Sequence, residues 1–122
     1  MRILVVDDDT LAGEMTAAIL EGLGHQVLLA EDGVDAIGKL NADGGIELII
    51  SDMHMPMVSG IDLFRELRQQ GSALPFVLLT GDEPEGLLAQ EPLLDACLLK
   101  DFGMGDTLPA VLDSVRSRRP LA

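Results

Sequence analysis

Side chains that can hold a metal ion or a phosphoryl group follow directly after apolar runs in this sequence. They are Asp7, Asp8 and Asp9 after the first run, Ser51 and Asp52 after the third, Thr80 after the fourth and Lys100 after the fifth. Grouped carboxylates repel one another, and a hard divalent cation such as Mg²⁺ relieves that repulsion through oxygen ligands. A carboxylate can also attack phosphorus, while an ammonium and a hydroxyl group steady the phosphoryl oxygens. These residue types therefore predict carboxylate, Mg²⁺ and phosphoryl chemistry.

Strands and helices that must position these side chains alternate along the chain. Continuously apolar runs, typical of strands covered on both faces of a parallel sheet, lie at Ile3–Val6, Val27–Ala30, Leu48–Ile50, Phe76–Leu79 and Cys97–Leu99. Between them, apolar residues recur at helical spacing, and the first such stripe contains Leu11, Met15, Ala18, Ile19 and Gly22. The alternation predicts an α/β fold with a doubly wound, five-stranded parallel sheet. With the strand order 2-1-3-4-5, the polar residues named above meet at one rim of the sheet.

The segment Asp82–Asp95 fits this alternation least well. The fourth helix should lie here, yet Pro84, Gly86 and Pro92 leave room for about two turns. We therefore expect a short or irregular fourth helix.

Length and composition exclude several classes of protein. The 122 residues suffice for one domain, which we expect to span residues 1–122. The formal net charge of −13 argues against direct nucleic-acid binding and favours a cation or a basic protein partner. Cys97 is the single cysteine, so no intrachain disulfide can form. The sequence shows neither a signal peptide nor an apolar run of membrane-spanning length, so we expect a cytoplasmic protein without a membrane partner.

Five short motifs in family-like order and spacing resemble the receiver domain of bacterial two-component response regulators, a CheY-like domain. They are Ile3–Asp9, Asp32–Ala36, Leu48–Pro56 with Gly60, Leu78–Gly81 and Leu99–Phe102. Each is weak alone, but five in order along essentially the whole chain are specific. The resemblance implies a flavodoxin-like (βα)5 fold in which Asp52 accepts a phosphoryl group from a histidine kinase or a histidine phosphotransfer protein.

The resemblance also implies roles for residues around Asp52. The implied Mg²⁺ ligands are Asp7, Asp8, Asp52 and the backbone carbonyl of His54. Thr80 and Lys100 would contact the phosphoryl group, and Gly81 would leave room for it. The chain would then be a phosphoacceptor that switches protein contacts and not an enzyme, apart from self-catalysed phosphorylation and acyl-phosphate hydrolysis. We expect the His54 side chain to face the site entrance and to modulate that hydrolysis.

Two residues depart from the family's pattern. Asp101 follows Lys100 where the family usually has proline, often after a cis peptide. We expect either a trans peptide with a shifted Lys100 loop or a strained cis bond. Cys97 stands three residues before Lys100, where the family usually carries an aromatic residue whose reorientation reports phosphorylation. The resemblance thus implies intact phosphoacceptance and a switch modified by Cys97 and Asp101.

Alternative functions fit parts of the sequence. Cys97, Asp101 and the broken fourth helix favour a pseudo-receiver, which binds its partner regardless of phosphate. The Asp-x-Asp spacing in Asp7–Asp9 suggests a phosphatase, although the chain lacks an evident cap domain for a substrate. The same three residues could also form an acidic first helical turn, which explains Asp9 as a helix cap and leaves the other two unexplained. The output partner, and whether the chain stands alone or belongs to a larger regulator or kinase, stay open.

Overall fold

The computed structural model describes residues 1–55, 57–81, 91, 94–100 and 104–118, with the backbone alone at 104–106 and 116–118. Strands β1 to β5 span Arg2–Val6, Gln26–Ala30, Leu48–Asp52, Phe76–Thr80 and Ala96–Leu99. Helices α1 to α4 span Thr10–Gly22, Gly33–Ala42, Gly60–Gln69 and Met104–Arg118. Most of Asp82–Asp95, predicted to hold a short helix, lies outside the described residues, as does Asp101. The predictions for those residues stay predictions.

The strands form one parallel sheet in the order β2-β1-β3-β4-β5, which confirms the predicted topology. Strands β3 and β4 are buried along their whole length, which explains why they are continuously apolar up to the rim. The register sets Val6 beside Ser51 and Asp52 beside Leu79. Because parallel strands end at the same edge, the residues that follow β1, β3 and β4 reach a common rim.

Apolar layers cover both faces of the sheet, as a doubly wound fold requires. One layer joins α2 and α3 to the sheet and contains Phe64 and Phe76, whose rings meet edge to face with centroids 5.4 Å apart. The other layer joins α1 and α4 to the sheet through Leu20, Leu108 and Leu112. The sheet is therefore held between two helical layers, and its carboxyl-terminal rim stays accessible.

The buried face of α1 agrees with the predicted one only at Ile19, which is partly buried against the apolar layer. Leu11 and Met15 of the predicted stripe face solvent, with exposures of 67% and 60%. The helix packs instead through Gly13, Thr16, Ala17 and Leu20. A β-carbon added at Gly13 would lie 3.4 Å from the β-carbon of Asp7, which is van der Waals contact distance, so α1 packs directly against the end of β1. Close approach thus turns mainly small residues toward the sheet and leaves large apolar ones outside.

Side chains cap the N-terminal ends of the first three helices near the rim. Asp9 accepts a hydrogen bond from the Ala12 N–H at 3.2 Å, which confirms its predicted role as a cap of α1. Asp32 caps α2 in the same way, and Ser59 forms a reciprocal capping box at the start of α3. These caps fix where each helix leaves the rim.

Candidate functional site

Three aspartate carboxylates meet at the carboxyl-terminal rim of the sheet. Asp7 and Asp8 follow β1, and Asp52 is the last residue of β3. One oxygen from each carboxylate lies within 4.8 Å of the other two. Asp7 and Asp52 are only 6% and 7% exposed, whereas Asp8 is exposed. The described part of the chain contains no second group of possible metal ligands of this kind.

Lys100 brings a positive charge to these carboxylates. Its Nζ lies 2.7 Å from Oδ2 of Asp7 and 3.5 Å from Oδ1 of Asp52. The Lys100 backbone N–H donates to the carbonyl of Thr80 at 2.7 Å, which anchors the residue after β5 to the end of β4. Burial opposes the ammonium form, but the hydrogen bond to Asp7 and the charges of Asp52 and Asp7 outweigh it and raise the pKa of Lys100. The side chain is therefore a cation at neutral pH.

Asp7 is held through both of its carboxylate oxygens. Oδ1 accepts the backbone N–H of Asp9 at 2.9 Å, and Oδ2 accepts the ammonium of Lys100 at 2.7 Å. A metal ion that bound Asp7 would therefore have to share the carboxylate with Lys100 or displace it.

The pKa of the Asp52 carboxyl group is raised above its ordinary value. Burial is the largest cause of its raised pKa, and the neighbouring charges of Asp7 and Asp8 raise it further while Lys100 opposes them. A divalent cation beside these groups would favour the ionised carboxylate, which is the form that can act as a nucleophile.

Backbone packing around Asp52 depends on Gly60. The Gly60 N–H donates to the carbonyl of Met53 at 2.9 Å, and a β-carbon at Gly60 would lie 2.6 Å from the carbonyl oxygen of Asp52. Only glycine lets α3 begin this close to the end of β3. Ser51, which the sequence groups with the rim residues, is fully buried and donates its hydroxyl to the Asp52 carbonyl at 2.9 Å. Sequence reasoning did not identify this backbone role of Ser51.

The other rim residues lie where the strand order places them. Thr80 ends β4 one residue beyond Leu79, the register partner of Asp52, and is fully buried. Gly81 is exposed, and among the residues that the structure describes a β-carbon added there would meet no other atom within 4 Å. His54, two residues after Asp52, is also exposed. The proposed phosphoryl contacts of these residues stay predictions.

Cys97 occupies a buried position in β5. It is 7% exposed and packs in the apolar layer that contains Phe64 and Phe76. Burial raises the pKa of its thiol to about 11, so the group is protonated at neutral pH and behaves as a small apolar side chain. A small buried residue thus occupies the position where the resemblance implies a reorienting aromatic ring.

The donor atoms of the aspartate cluster fit Mg²⁺. All three are carboxylate oxygens, the hard ligands that Mg²⁺ prefers, and they are close enough to share one ion. The exposed position of Asp8 leaves one side of the cluster accessible to water or a phosphoryl group. The cluster is therefore an acidic pocket suited to Mg²⁺.

Comparisons with known proteins agree with this geometry. The sequence matches the response regulator receiver domain family over residues 3–112. It is 36% identical over 124 residues to the sensor histidine kinase RcsC of Salmonella typhi and 34% identical over 122 residues to the response regulator MprA of Mycobacterium avium, with 98% of this chain covered in each case. The crystal structure of the response regulator TrrA of Thermotoga maritima, in complex with Mg²⁺–BeF, superposes with a TM-score of 0.81 at 27% identity and covers 93% of this chain and 97% of TrrA.

The chain belongs to the response regulator receiver domain family. It is a signalling domain of two-component systems, in which receiver domains are phosphorylated by histidine kinases. The chain spans 53% of the length of MprA and 13% of the length of RcsC, so the activities of those whole proteins do not transfer to it directly.

Proposed function

We propose that Asp52 accepts a phosphoryl group from a phosphohistidine of a histidine kinase or a histidine phosphotransfer protein. One observation carries the proposal: the Asp52 carboxylate lies among Asp7, Asp8 and the Lys100 ammonium at the rim of the sheet. This combination supplies a nucleophile, two further metal ligands and a fixed positive charge within a few ångströms.

The transfer step follows from these positions. A carboxylate oxygen of Asp52 attacks phosphorus, a P–O bond forms as the P–N bond breaks, and the electron pair stays on the imidazole nitrogen. Lys100 provides a positive charge beside the transferred oxygens, because its Nζ is already 3.5 Å from Asp52. Asp7, Asp8 and Asp52, with the His54 carbonyl, would hold Mg²⁺, which offsets negative charge on phosphoryl oxygens when bound.

The last residue of β4 and the residue that follows it complete the proposed pocket. The Thr80 hydroxyl donates to a phosphoryl oxygen, and Gly81 leaves space for the group because glycine has no side chain. Water later attacks the phosphorus of the acyl phosphate, phosphate leaves, and the Asp52 carboxylate is restored. His54 modulates this hydrolysis from the site entrance, and an unchanged dephosphorylation rate in His54→Ala would remove that role. No turnover of an external substrate is proposed.

The wider setting of the domain is also proposed. We expect one domain over residues 1–122, no direct contact with nucleic acid, output through protein contacts and a cytoplasmic location. No helix that the structure describes is long and apolar enough to cross a membrane. The identity of the kinase and of the output partner is left open.

A pseudo-receiver is the second candidate, because Cys97 is a small buried residue in the apolar layer. Such a residue cannot swing between an inward and an outward position as an aromatic ring can. If partner binding strengthened greatly on phosphorylation, the pseudo-receiver would be excluded.

The experiment that tests phosphoacceptance is intact mass after incubation with acetyl phosphate and Mg²⁺. We expect one added phosphoryl group in the wild type and in Asp113→Asn, a control at an exposed carboxylate of α4. The adduct should disappear in Asp52→Asn and when Mg²⁺ is removed. A phosphoryl adduct of equal yield in Asp52→Asn would overturn the assignment of the acceptor.

A further inference from the structure

A cavity lies between the C-terminal ends of α2 and α3, at the edge of the sheet opposite the aspartate cluster. Its volume is about 390 Å³, within the range of about 300–1,000 Å³ that is common for small-molecule sites. The segment that joins α2 to β3 lines one side of it, and the segment that joins α3 to β4 lines the other. We call it the α2–α3 cavity. The function proposed above makes no use of it.

The floor of the α2–α3 cavity is apolar. Ile46 and Leu67 are 4% and 3% exposed, and both belong to the apolar layer that joins α2 and α3 to the sheet. Leu40 and Leu74 also line the cavity and are partly buried against the same layer. An alkyl chain that entered the cavity would therefore leave water for a preformed apolar surface.

Open backbone carbonyls lie on the α2 side of the cavity. The Asp43 N–H donates to the Lys39 carbonyl at 2.9 Å and so satisfies the first of the last four carbonyls of α2. Among the residues that the structure describes, no donor reaches the carbonyls of the other three, Leu40, Asn41 and Ala42. Carbonyls at a helix C-terminus carry partial negative charge, and a ligand can satisfy them. This side of the cavity therefore favours a cation with hydrogen-bond donors.

The side chains around the cavity favour the same sign of charge. Among the described residues that line it, none is basic and only Asp43 is acidic, and that carboxylate is paired with Arg2 at 2.7 Å. The Arg68 guanidinium donates to the Ser72 carbonyl at 3.1 Å and lies 4.6 Å from the ring centre of Phe64, so protein groups already bind this cation. The negative end of the α3 dipole also faces the cavity, on a chain whose net charge is −13.

We propose that the α2–α3 cavity binds a small organic ammonium ion. The alkyl chain of the ligand lies on the apolar floor, and its ammonium group donates to the open carbonyls at the end of α2. A primary ammonium has three N–H donors, whereas an alcohol has one donor and an ionised carboxylate has none. Because the floor contacts every alkyl chain in the same way, the site selects its ligand by the charge and the donors of the head group.

The first test is titration with hexylammonium chloride, followed by amide NMR at constant ionic strength. Saturable shifts are expected at four residues that line the cavity, namely Leu40, Gly44, Gly71 and Leu74. Hexan-1-ol has the same alkyl chain and should bind at least about tenfold more weakly, because it lacks the charge. Hexanoate should give no saturable shift at these residues. The absence of saturable shifts with hexylammonium, or equal or tighter binding of hexan-1-ol or hexanoate, overturns the proposal.

The aspartate cluster is a second place at which an organic cation could bind, so the titration is repeated with Asp52→Asn and with wild type saturated with Mg²⁺. The shifts at the four cavity residues should persist with the same affinity in both experiments. Loss of these shifts in either experiment would assign them to the acidic rim and would overturn the cavity site. Since Asp52→Asn is expected to lose phosphoacceptance, binding by this variant is also independent of the proposed function.

Asn41→Lys and Leu11→Lys form a matched pair of variants. Asn41 is exposed and lines the cavity, so a lysine there places a competing ammonium beside the open carbonyls and should weaken hexylammonium binding about tenfold. Leu11→Lys adds the same charge to α1, on the other face of the sheet, and should change the affinity by less than about twofold. Both residues are exposed, so both variants should fold. An unchanged affinity in Asn41→Lys, or equal losses in the two variants, overturns the site.

Discussion

Replacing Asp52 by asparagine should stabilise the metal-free protein. The carboxylate is buried close to those of Asp7 and Asp8, and burial is the main reason for its raised pKa. Asparagine keeps nearly the same shape and removes a charge that the folded state tolerates poorly. The same substitution should abolish phosphoacceptance completely. Such a trade-off between stability and activity is often found at charged sites.

The size of the expected change in the free energy of unfolding follows from the distances between Asp52 and its charged neighbours. With an effective dielectric constant of about 20, repulsion from Asp7 at up to 4.8 Å is at least about 3.5 kcal/mol, and solvent screening lowers the repulsion from the more exposed Asp8 to about 2 kcal/mol. Attraction to Lys100 at 3.5 Å is about 5 kcal/mol, so the pairwise charges nearly cancel. Burial of the carboxylate then decides the sign, and we expect a gain of about 1 kcal/mol, or roughly 4 °C in Tm.

The assay is urea or thermal unfolding of the wild type, Asp52→Asn and Asp113→Asn in EDTA. Because the folded pKa of Asp52 is raised, the wild type loses stability as the pH rises through that pKa, and the advantage of Asp52→Asn should grow from acid toward neutral pH. Saturating Mg²⁺ should shrink the advantage, because a bound ion stabilises the native wild type. If Asp52→Asn were less stable than the wild type at neutral pH in EDTA, the attraction to Lys100 would outweigh burial and our reasoning would be wrong.

Three further outcomes follow from single contacts. The Lys100→Met variant should bind Mg²⁺ about tenfold more tightly than the wild type, as measured by calorimetry, because the Lys100 ammonium no longer competes with the ion for the carboxylates. Weaker binding by this variant would contradict competition between Lys100 and Mg²⁺. Gly60→Ala should lower the free energy of unfolding by more than about 2 kcal/mol, because the added β-carbon would meet the carbonyl of Asp52. Gly38→Ala, at an open position of α2, should instead raise the free energy of unfolding by about 0.5–1 kcal/mol. Iodoacetamide at pH 8 should alkylate Cys97 at least about a hundredfold more slowly in the native protein than in urea, because burial raises the pKa of the thiol to about 11. Equal alkylation rates in the two conditions would contradict the burial of Cys97.

The fold and the location of the site are predictable from the sequence because the parallel sheet has a simple geometry. Runs that are apolar without alternation indicate strands covered on both faces, and the residues after such strands share one edge. Asp7, Asp52 and Lys100 could therefore be assigned to a common site before their distances were known. That Lys100 lies closer to Asp7 than to Asp52 was not predictable, since side-chain reach depends on register and rotamer.

The orientation of α1 shows why helical spacing alone does not identify a buried face. The helix carries apolar residues on two sides, so the pattern admits two answers. Hydrophobicity favours the stripe of Leu11 and Met15, but the side of the helix that contains Gly13 and Leu20 is the one that packs against the sheet. Steric access to the end of β1 is a tertiary property, and no local pattern encodes it.

The strand order has a consequence for the sequence of events during folding. The first three strands along the chain, β1, β2 and β3, are contiguous in the sheet, and β4 and β5 extend it on one side. An intermediate that has paired only the first three strands already gathers Asp7, Asp8 and Asp52 while Lys100 is still far away. In such an intermediate, like charges would be assembled before the ammonium that compensates them. Divalent cations in the refolding buffer should therefore accelerate the approach to the native state, even for a chain that never meets its kinase.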